Sequence, residues 1–305
     1  MLLSDLQVIV QVAEFRSITA AATSLDMSPA TASASVKRVE RSLGTELFVR
    51  TTRHLRLSSA GERYLPMCMK ALQTLSMAEQ NLKEELDIVD GEMRLATSSD
   101  LGRNLVLSWL DEFMTQHPHL RLKAHISDTN IDFYRDPVDI ALRYGEPVDS
   151  SLYGFKICNV PRILCASPDY LHQHGEPTHP KQLIDHNGLF YELRDIVNDT
   201  WSFTNQEETV KIRMSGNRAS NDGDLVRRWC VAGKGIAVKS CLDIANDLLT
   251  QKLKVVMPMY IPKSTELWLV CPSQQSITPA VRLLREHIKA NCDKILDKLK
   301  REKLL

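Results

Sequence analysis

The sequence predicts an α/β chain that carries a winged helix-turn-helix at its N-terminus. Three observations predict it. Two short helical segments meet at a turn of about three residues early in the chain. Two arginine-bearing, strand-like segments follow at once. Beyond Gly91, short alternating strands take turns with helices. The 305 residues are 43% hydrophobic and 25% charged, which excludes disordered and fibrous classes. No apolar run approaches the ~18 residues of a membrane span. The start, Met1-Leu2-Leu3-Ser4-Asp5, lacks a basic segment and cleavage site, so the expectation is a cytoplasmic protein with no membrane partner.

Taken in order, Leu3, Leu6, Ile9, Val10 and Ala13 recur at helical spacing, and this first helix ends near Ser17. A second runs from Ile18 to Leu25, where Ala20, Ala21 and Ala22 allow close helix contact. Asp26-Met27-Ser28 makes the turn. Ser28 then caps a third helix with Pro29 at its first position, and Gly44 ends it. In that third helix Ala32, Val36, Val39 and Leu43 form a stripe expected to be buried. The opposite face carries Ala30, Ser33, Ala34, Lys37 and Arg41: small residues that admit base edges, then cations that hold phosphates. A solvated face of a small helical domain would show the same mixture. The hairpin of residues 47–50 and 55–57 favours DNA, because it brings Arg50 and Arg53 beside the helix.

Lys+Arg and Asp+Glu both total 38, yet residues 37–56 hold six basic side chains against Glu40 and Glu46. The chain's neutrality hides a local positive footprint. Ser59 and Glu62 read as a capping box for a long helix. In it Leu65, Cys68, Leu72, Leu75, Leu82, Leu86 and Val89 space out as a coiled-coil seam, interrupted once by Glu79, and predict a dimer with two half-sites. Packing on its own domain is the alternative.

After Gly91, residues 93–97, 120–126 and 138–144 read as strands and 101–116 as a helix. Residues 225–232 form another helix, followed by a strand at 236–238. The segment 282–303, with eight basic and four acidic residues around Leu284, Ile288, Ile295 and Leu299, reads as an amphipathic helix packed on this domain.

The run Ala20-Ala21-Ala22, Leu25, Ser28-Pro29, Ser33, Val36, Arg38-Val39-Glu40, Leu43-Gly44, residues 47–53, Leu55, Leu57 and Ala60-Gly61 resembles the DNA-binding domain of LysR-type transcriptional regulators. Asp139-Ile140-Ala141-Leu142-Arg143, residues 166–171 and residues 232–237 extend the resemblance over nearly the whole chain. It implies a DNA-binding domain at 1–58, a dimerising linker helix at 59–90 and an effector-binding domain at 91–305. That last domain would have two Rossmann-like lobes similar to periplasmic solute-binding proteins. Lobe I is placed at about 92–162 and 267–290, and lobe II at 163–266. The resemblance puts Ser28, Pro29, Ala30, Thr31, Ser33, Lys37, Arg38, Arg50 and Arg53 at DNA. Many relatives have Ser-Arg where this chain has Ser33-Ala34, which shifts base reading toward the other residues of this face.

The implied partners are promoter double-stranded DNA, a small-molecule effector and further copies of the chain as dimer or homotetramer, with RNA polymerase a candidate. Effector contacts are expected at strand ends: Thr97, Ser98, Ser99, Asp128, Tyr144, Ser220, Asn221 and Asp222. Capping and turn chemistry would account for the same residues. Arg103 and Arg143 would meet an anion and Asp100, Asp128 and Asp222 repel one, so the ligand's charge stays open. No hydrolase elbow, zinc-protease motif or phosphate loop occurs, so neither an enzyme nor a cofactor is expected. His172, His174, His179 and His186 read as loop histidines rather than metal ligands. The seven cysteines are odd in number and lack a Cys-x-x-Cys pair, which argues against disulfides and thiolate metal sites. Two alternatives remain: a regulator that senses redox state through Cys230, and a cytosolic solute-binding module.

Overall fold

A computed structural model describes residues 2–50, 55–84, 89–129, 131, 133, 136, 138–193, 196–206 and 208–305. The chain forms two compact units, Met1–Leu86 and Asp87–Leu305.

In the first unit, α1 (Leu3–Phe15), α2 (Ile18–Ser24) and α3 (Pro29–Leu43) precede the hairpin β1 (Phe48–Arg50) and β2 (Leu55–Leu57) and the long α4 (Ser59–Glu84). Ser17 Oγ accepts from Ala20 N–H at 3.2 Å and starts α2. Ser28 Oγ does the same for α3 from Thr31 N–H at 3.1 Å, with Pro29 where its missing N–H costs nothing. Gly44, at φ +65°, ends α3. Val8, Ile9 and Val12 of α1, Ala21 and Ala22 of α2, and Ala32, Val36 and Val39 of α3 pack into one core. Phe48 pairs with Leu57 across the hairpin.

Three sequence expectations shift here. Leu43 is exposed rather than buried, because the core closes at Val39 and Leu47. The buried face of α1 runs through Asp5, Val8, Ile9 and Val12, leaving Leu3 exposed. The cap of α4 is Ser58, not Ser59: Ser58 Oγ accepts from Gly61 N–H at 3.0 Å.

The expected seam of α4 also divides. Cys68 is buried and Leu65 packs against the three-helix core, whereas Leu75 is exposed. The first turns of α4 are committed to their own domain. Val89 packs on the core of the second unit, and Leu86 and the side chains of Glu79 and Leu82 lie outside the described residues.

Gly61 lies under the Leu47 carbonyl; a Cβ there would sit 2.2 Å from that oxygen. The backbone cannot give way, since Leu47 O also accepts from Ser58 N–H at 2.9 Å. Gly61→Ala is therefore expected to destabilise the first unit by about 1–3 kcal/mol. Urea unfolding followed on residues 1–86 within the full chain checks this, and an unchanged midpoint would refute the contact.

In the second unit, lobe I is one five-stranded sheet in the order β4-β3-β5-β16-β6: Leu120–Ile126, Gly91–Thr97, Ile140–Tyr144, Thr265–Cys271 and Tyr153–Val160. β3 runs parallel to β4 and β5, and β16 antiparallel to β5 and β6. Between β3 and β4 lie α5 (Ser99–Leu101), a π-helical stretch (Gly102–Val106) and α6 (Leu107–Gln116).

Lobe II holds β7 (Arg162–Ala166), α7 (Pro168–His174), β8 (Leu189–Leu193), β9 (Ile196–Val197), β10 (Thr200–Thr204), β11 (Thr209–Arg213) and β12 (Arg218–Ser220). α8 (Gly223–Val231), β13 (Ala237–Ser240), α9 (Ala245–Leu249), β14 (Lys254–Val255) and β15 (Ile261–Pro262) complete it. Its strands pair as β13-β7-β14, β12-β8-β9 and β11-β10-β15.

The chain crosses between lobes twice, at Pro161 and at residues 263–264. α10 (Pro279–Arg301) buries Leu284, Ile288, Cys292, Leu296 and Leu299, the amphipathic packing expected, although Ile295 is only half-buried. α5 begins at Ser99 rather than Leu101, and α8 at Gly223 rather than Leu225, because Asp222 caps it through Leu225 N–H at 3.0 Å. Both lobes therefore point a helix start at the space between them, where the ends of parallel strands leave a crevice.

Candidate functional site

Two surfaces concentrate the chemistry. On the first unit, α3 exposes Pro29, Ala30, Thr31, Ala34, Lys37 and Arg41, with Ser33 half-buried beside them. Ser28 is exposed too, but its hydroxyl is engaged as the cap and lies 2.8 Å from Thr31 Oγ1. Arg38, expected at DNA, is exposed as well but also holds a partner within its own unit. Its Nε donates to Asp5 Oδ2 of α1 at 3.0 Å, and its Nη2 to Asp5 Oδ1 and to Ser35 Oγ of α3 itself. Asp5 is fully buried, and the hydrogen bonds from Arg38 hold its carboxyl well below the usual range despite that burial. Arg38 is thus the clasp that sets α3 on α1. Arg53 and the Arg50 side chain lie outside the described residues.

The second surface is a cavity of about 250 Å³ between the lobes. Leu189, Tyr191, Leu193, Trp201 and Val238 of lobe II form an apolar, aromatic wall, and the Trp201 indole is turned onto Asn198 O at 3.0 Å. Ser98, Asp128, Arg143 and Tyr144 of lobe I face it. Of the predicted contacts, Ser98, Asp128 and Tyr144 line this cavity. Thr97, Ser99, Ser220, Asn221 and Asp222 do not.

The reasons are local. Ser99 is buried and gives its N–H (2.7 Å) and hydroxyl (2.5 Å) to Asp128. Ser220 Oγ accepts from Asp222 N–H at 3.0 Å, and Asn221 is exposed. Asp222 caps α8 and pairs with Arg103 at 2.9 Å, which removes Arg103 from the anion-binding role considered for it. Thr97, at the end of β3 in lobe I, is buried. Among the described residues its Oγ1, and the buried Ser98 Oγ, have no hydrogen-bond partner, an uncommon state for buried hydroxyls.

Asp128 holds the lobes together. Besides Ser99 it accepts from Gly223 N–H at 2.7 Å, so one carboxylate occupies the starts of both α5 and α8. Asn104 Nδ2 donates to Asp224 Oδ1 across the same seam at 3.0 Å. Beneath lies a buried group that sequence reading missed. Lys239 bonds Asp100 and donates to Gly223 O at 2.9 Å; Tyr144 O–H donates to Asp243 Oδ1 at 2.6 Å and accepts from Ser240 Oγ at 2.8 Å. The signal was present: Lys239 and Asp243 are charges set in the apolar run 236–245.

Burial lifts Asp100, opposed by Lys239. Burial also works against the Lys239 charge, but Asp100 and Asp243 more than offset it and leave that ammonium raised. Burial, reinforced by the Asp100 charge and opposed by Lys239, lifts Asp243 to about 8. The folded chain therefore binds this proton more tightly than the unfolded one. The stability it contributes is complete below about pH 4 and is lost as pH rises toward 8. Asp243→Asn, which copies the protonated carboxyl, is expected to flatten the fall in melting temperature between pH 5 and 8. An undiminished slope would exclude Asp243 as its source.

Cys230 lies 3.9 Å from Cys165, both fully buried. The contact with Cys230, with burial, pushes the Cys165 thiol up, which weighs against a reactive pair. His186 meets Tyr170 O–H at 3.3 Å and His174 stacks on Tyr170, so these histidines pack with lobe II; among the described residues no cluster suits a metal.

Residues 3–62 match the family model described as "Bacterial regulatory helix-turn-helix protein, lysR family", and residues 88–293 match "LysR substrate binding domain". The chain is 31% identical over 288 residues to the HTH-type transcriptional regulator DmlR of Escherichia coli, covering 94% of each. It is 32% identical over 249 residues to the regulator CrgA of Neisseria meningitidis, covering 82% of this chain and 83% of that one. The solved structure of CrgA superposes with a TM-score of 0.60 at 28% identity, over 96% and 98% of the chains. Full-length AphB, a virulence activator of Vibrio cholerae, does so at 0.57 and 27%, over 94% and 98%.

Proposed function

Because this chain belongs to the LysR family of DNA-binding transcriptional regulators, with an effector-binding domain behind its helix-turn-helix, we propose that the α3 face reads promoter DNA and the inter-lobe cleft takes the effector. Ala30, Thr31, Ser33 and Ala34 let base edges approach, and Lys37 and Arg41 take phosphates. Two copies paired through the exposed flank of α4, which includes Met67, Met69 and Leu75, read two half-sites.

One observation carries the effector reading: a cavity faced by Tyr191 and Trp201 and lined by Ser98, whose buried hydroxyl has no partner among the described residues. That combination suits a small ligand with an apolar or cyclic body and a polar group that completes Ser98. A cavity of about 150 Å³ holds benzene, so about 250 Å³ admits one ring with a substituent. The ligand acts by binding one arrangement of the lobes better than the other. The relatives are named as transcriptional regulators, and regulation rather than catalysis is the reading they support.

Selection of genomic fragments by the purified full-length chain, with no ligand added, tests the DNA half. The expected result is a motif of two half-sites, and featureless enrichment would overturn unaided promoter reading. Thermal-shift screening with the native chain and with Ser98→Trp, which fills the cavity, tests the other half. Hits that survive Ser98→Trp would place the effector elsewhere.

A further inference from the structure

A second cavity, larger than the cleft, lies against the crossovers between the lobes. It measures about 1020 Å³, against about 250 Å³ for the cleft. Its walls are apolar: Leu164, Leu253, Val255, Met257, Tyr260 and Leu304 are among them. The charged side chains that line it are Arg162, Lys254 and Lys303, with no acidic one among the described residues. Lys254 is half-exposed and its Nζ lies 3.4 Å from Glu176, which is outside the lining. An apolar hollow of this size whose charged side chains are all basic matches a ligand with a long apolar body and a single anionic head.

Its position gives it a consequence. Both crossovers contribute to it, through Pro161 and Arg162 on one side and Pro262 and Ser264 on the other. The cleft touches the same two strands of chain: Arg162 lines both cavities, and Thr265, next to Ser264, lines the cleft. A molecule in the second cavity bears on the segments about which the lobes would turn. It can favour one lobe arrangement without entering the cleft.

We propose that this cavity is a second regulatory site, that it binds a medium-chain fatty-acid anion, and that occupancy alters DNA affinity through the two crossovers. The acyl chain lies along Leu253, Val255 and Ile261, and the carboxylate sits between Lys254 and Lys303. Each added methylene tightens binding about threefold to fourfold.

Calorimetric titration of the full chain with octanoate, decanoate and decanol tests the proposal, all kept below their aggregation concentrations. Decanoate is expected to bind saturably at one site per chain, about tenfold tighter than octanoate. Decanol should bind several-fold more weakly than decanoate. Ile261→Glu, at an exposed position of the cavity, and Lys254→Glu should each weaken decanoate about tenfold, while Tyr191→Ala in the cleft should leave it unchanged. Decanoate should shift affinity for a selected DNA fragment in the native chain and not in Ile261→Glu. Absence of saturable binding overturns the site, and equal binding of decanol overturns the ligand class. Binding without any change in DNA affinity overturns the coupling. Loss in Tyr191→Ala with retention in Ile261→Glu would put decanoate in the cleft, sinking this proposal while leaving the effector reading intact. If Ile261→Glu splits an oligomer by sedimentation and decanoate does not bind, a second copy occupies the cavity instead.

Discussion

Replacing Lys239 with alanine is expected to lower the stability of the effector domain by about 3–5 kcal/mol. The ammonium is buried between the Asp100 carboxylate and the Gly223 carbonyl, and the pair joins the start of α5 in lobe I to β13 in lobe II. Removing only the cation strands a carboxylate away from water, and it abandons an acceptor at the first residue of α8. Protonation of Asp100 recovers part of the loss, which makes the defect smaller at low pH. The double variant Lys239→Met with Asp100→Asn removes both charges, so it is expected to regain most of the stability. Urea unfolding at pH 7 compares the three chains. A Lys239→Ala midpoint equal to the native one would mean that the pair is solvated, contrary to its burial.

The second large effect lies on α3. Ala34→Glu is expected to drop affinity for the selected promoter toward the non-specific level, about a thousandfold at physiological salt. Ala34 is exposed at the centre of the face that Ala30 and Lys37 flank, one turn from each. A glutamate there adds bulk where base edges must approach and sets a carboxylate against phosphates. Folding should be unaffected, since the site is exposed and glutamate suits a helix. Lys37→Ala provides the contrast: it should weaken all sequences alike and lower the salt slope by about one unit per subunit bound. Promoter binding by Ala34→Glu within tenfold of native would remove this face from the interface.

The N-terminal unit was largely legible because its signals are local. Ser28-Pro29 and Gly44 set the ends of α3 by capping alone, and the alternation of residues 55–57 located the second strand of the hairpin. The ion pair of Arg38 went unseen because its partner, Asp5, lies on another helix, and a surface-compatible spacing cannot reveal a long-range ion pair. The same limit governed α4, where a heptad pattern is satisfied equally by another subunit and by the domain beneath it. In the cleft, hydroxyl and carboxylate residues at strand ends drew attention to Ser98, Asp128 and Tyr144. Lys239 and Asp243 of lobe II meet Asp100 and Tyr144 of lobe I only once two crossovers bring the lobes together, and no periodicity encodes that meeting.

Asp128 gives the effector domain a resident competitor. With its carboxylate seated on Ser99 and Gly223, the two helix starts that would greet an anionic effector already have an anion, supplied by the chain itself. Such an effector could claim them only by exchange, and its measured affinity would be the intrinsic one scaled by the fraction of time Asp128 is away. Weak apparent binding in this protein would then report a well-tethered carboxylate rather than a poor fit. Asp128→Asn would loosen that competition and sharpen the apparent affinity for anions, even though it deletes a charge-assisted contact from the resting fold.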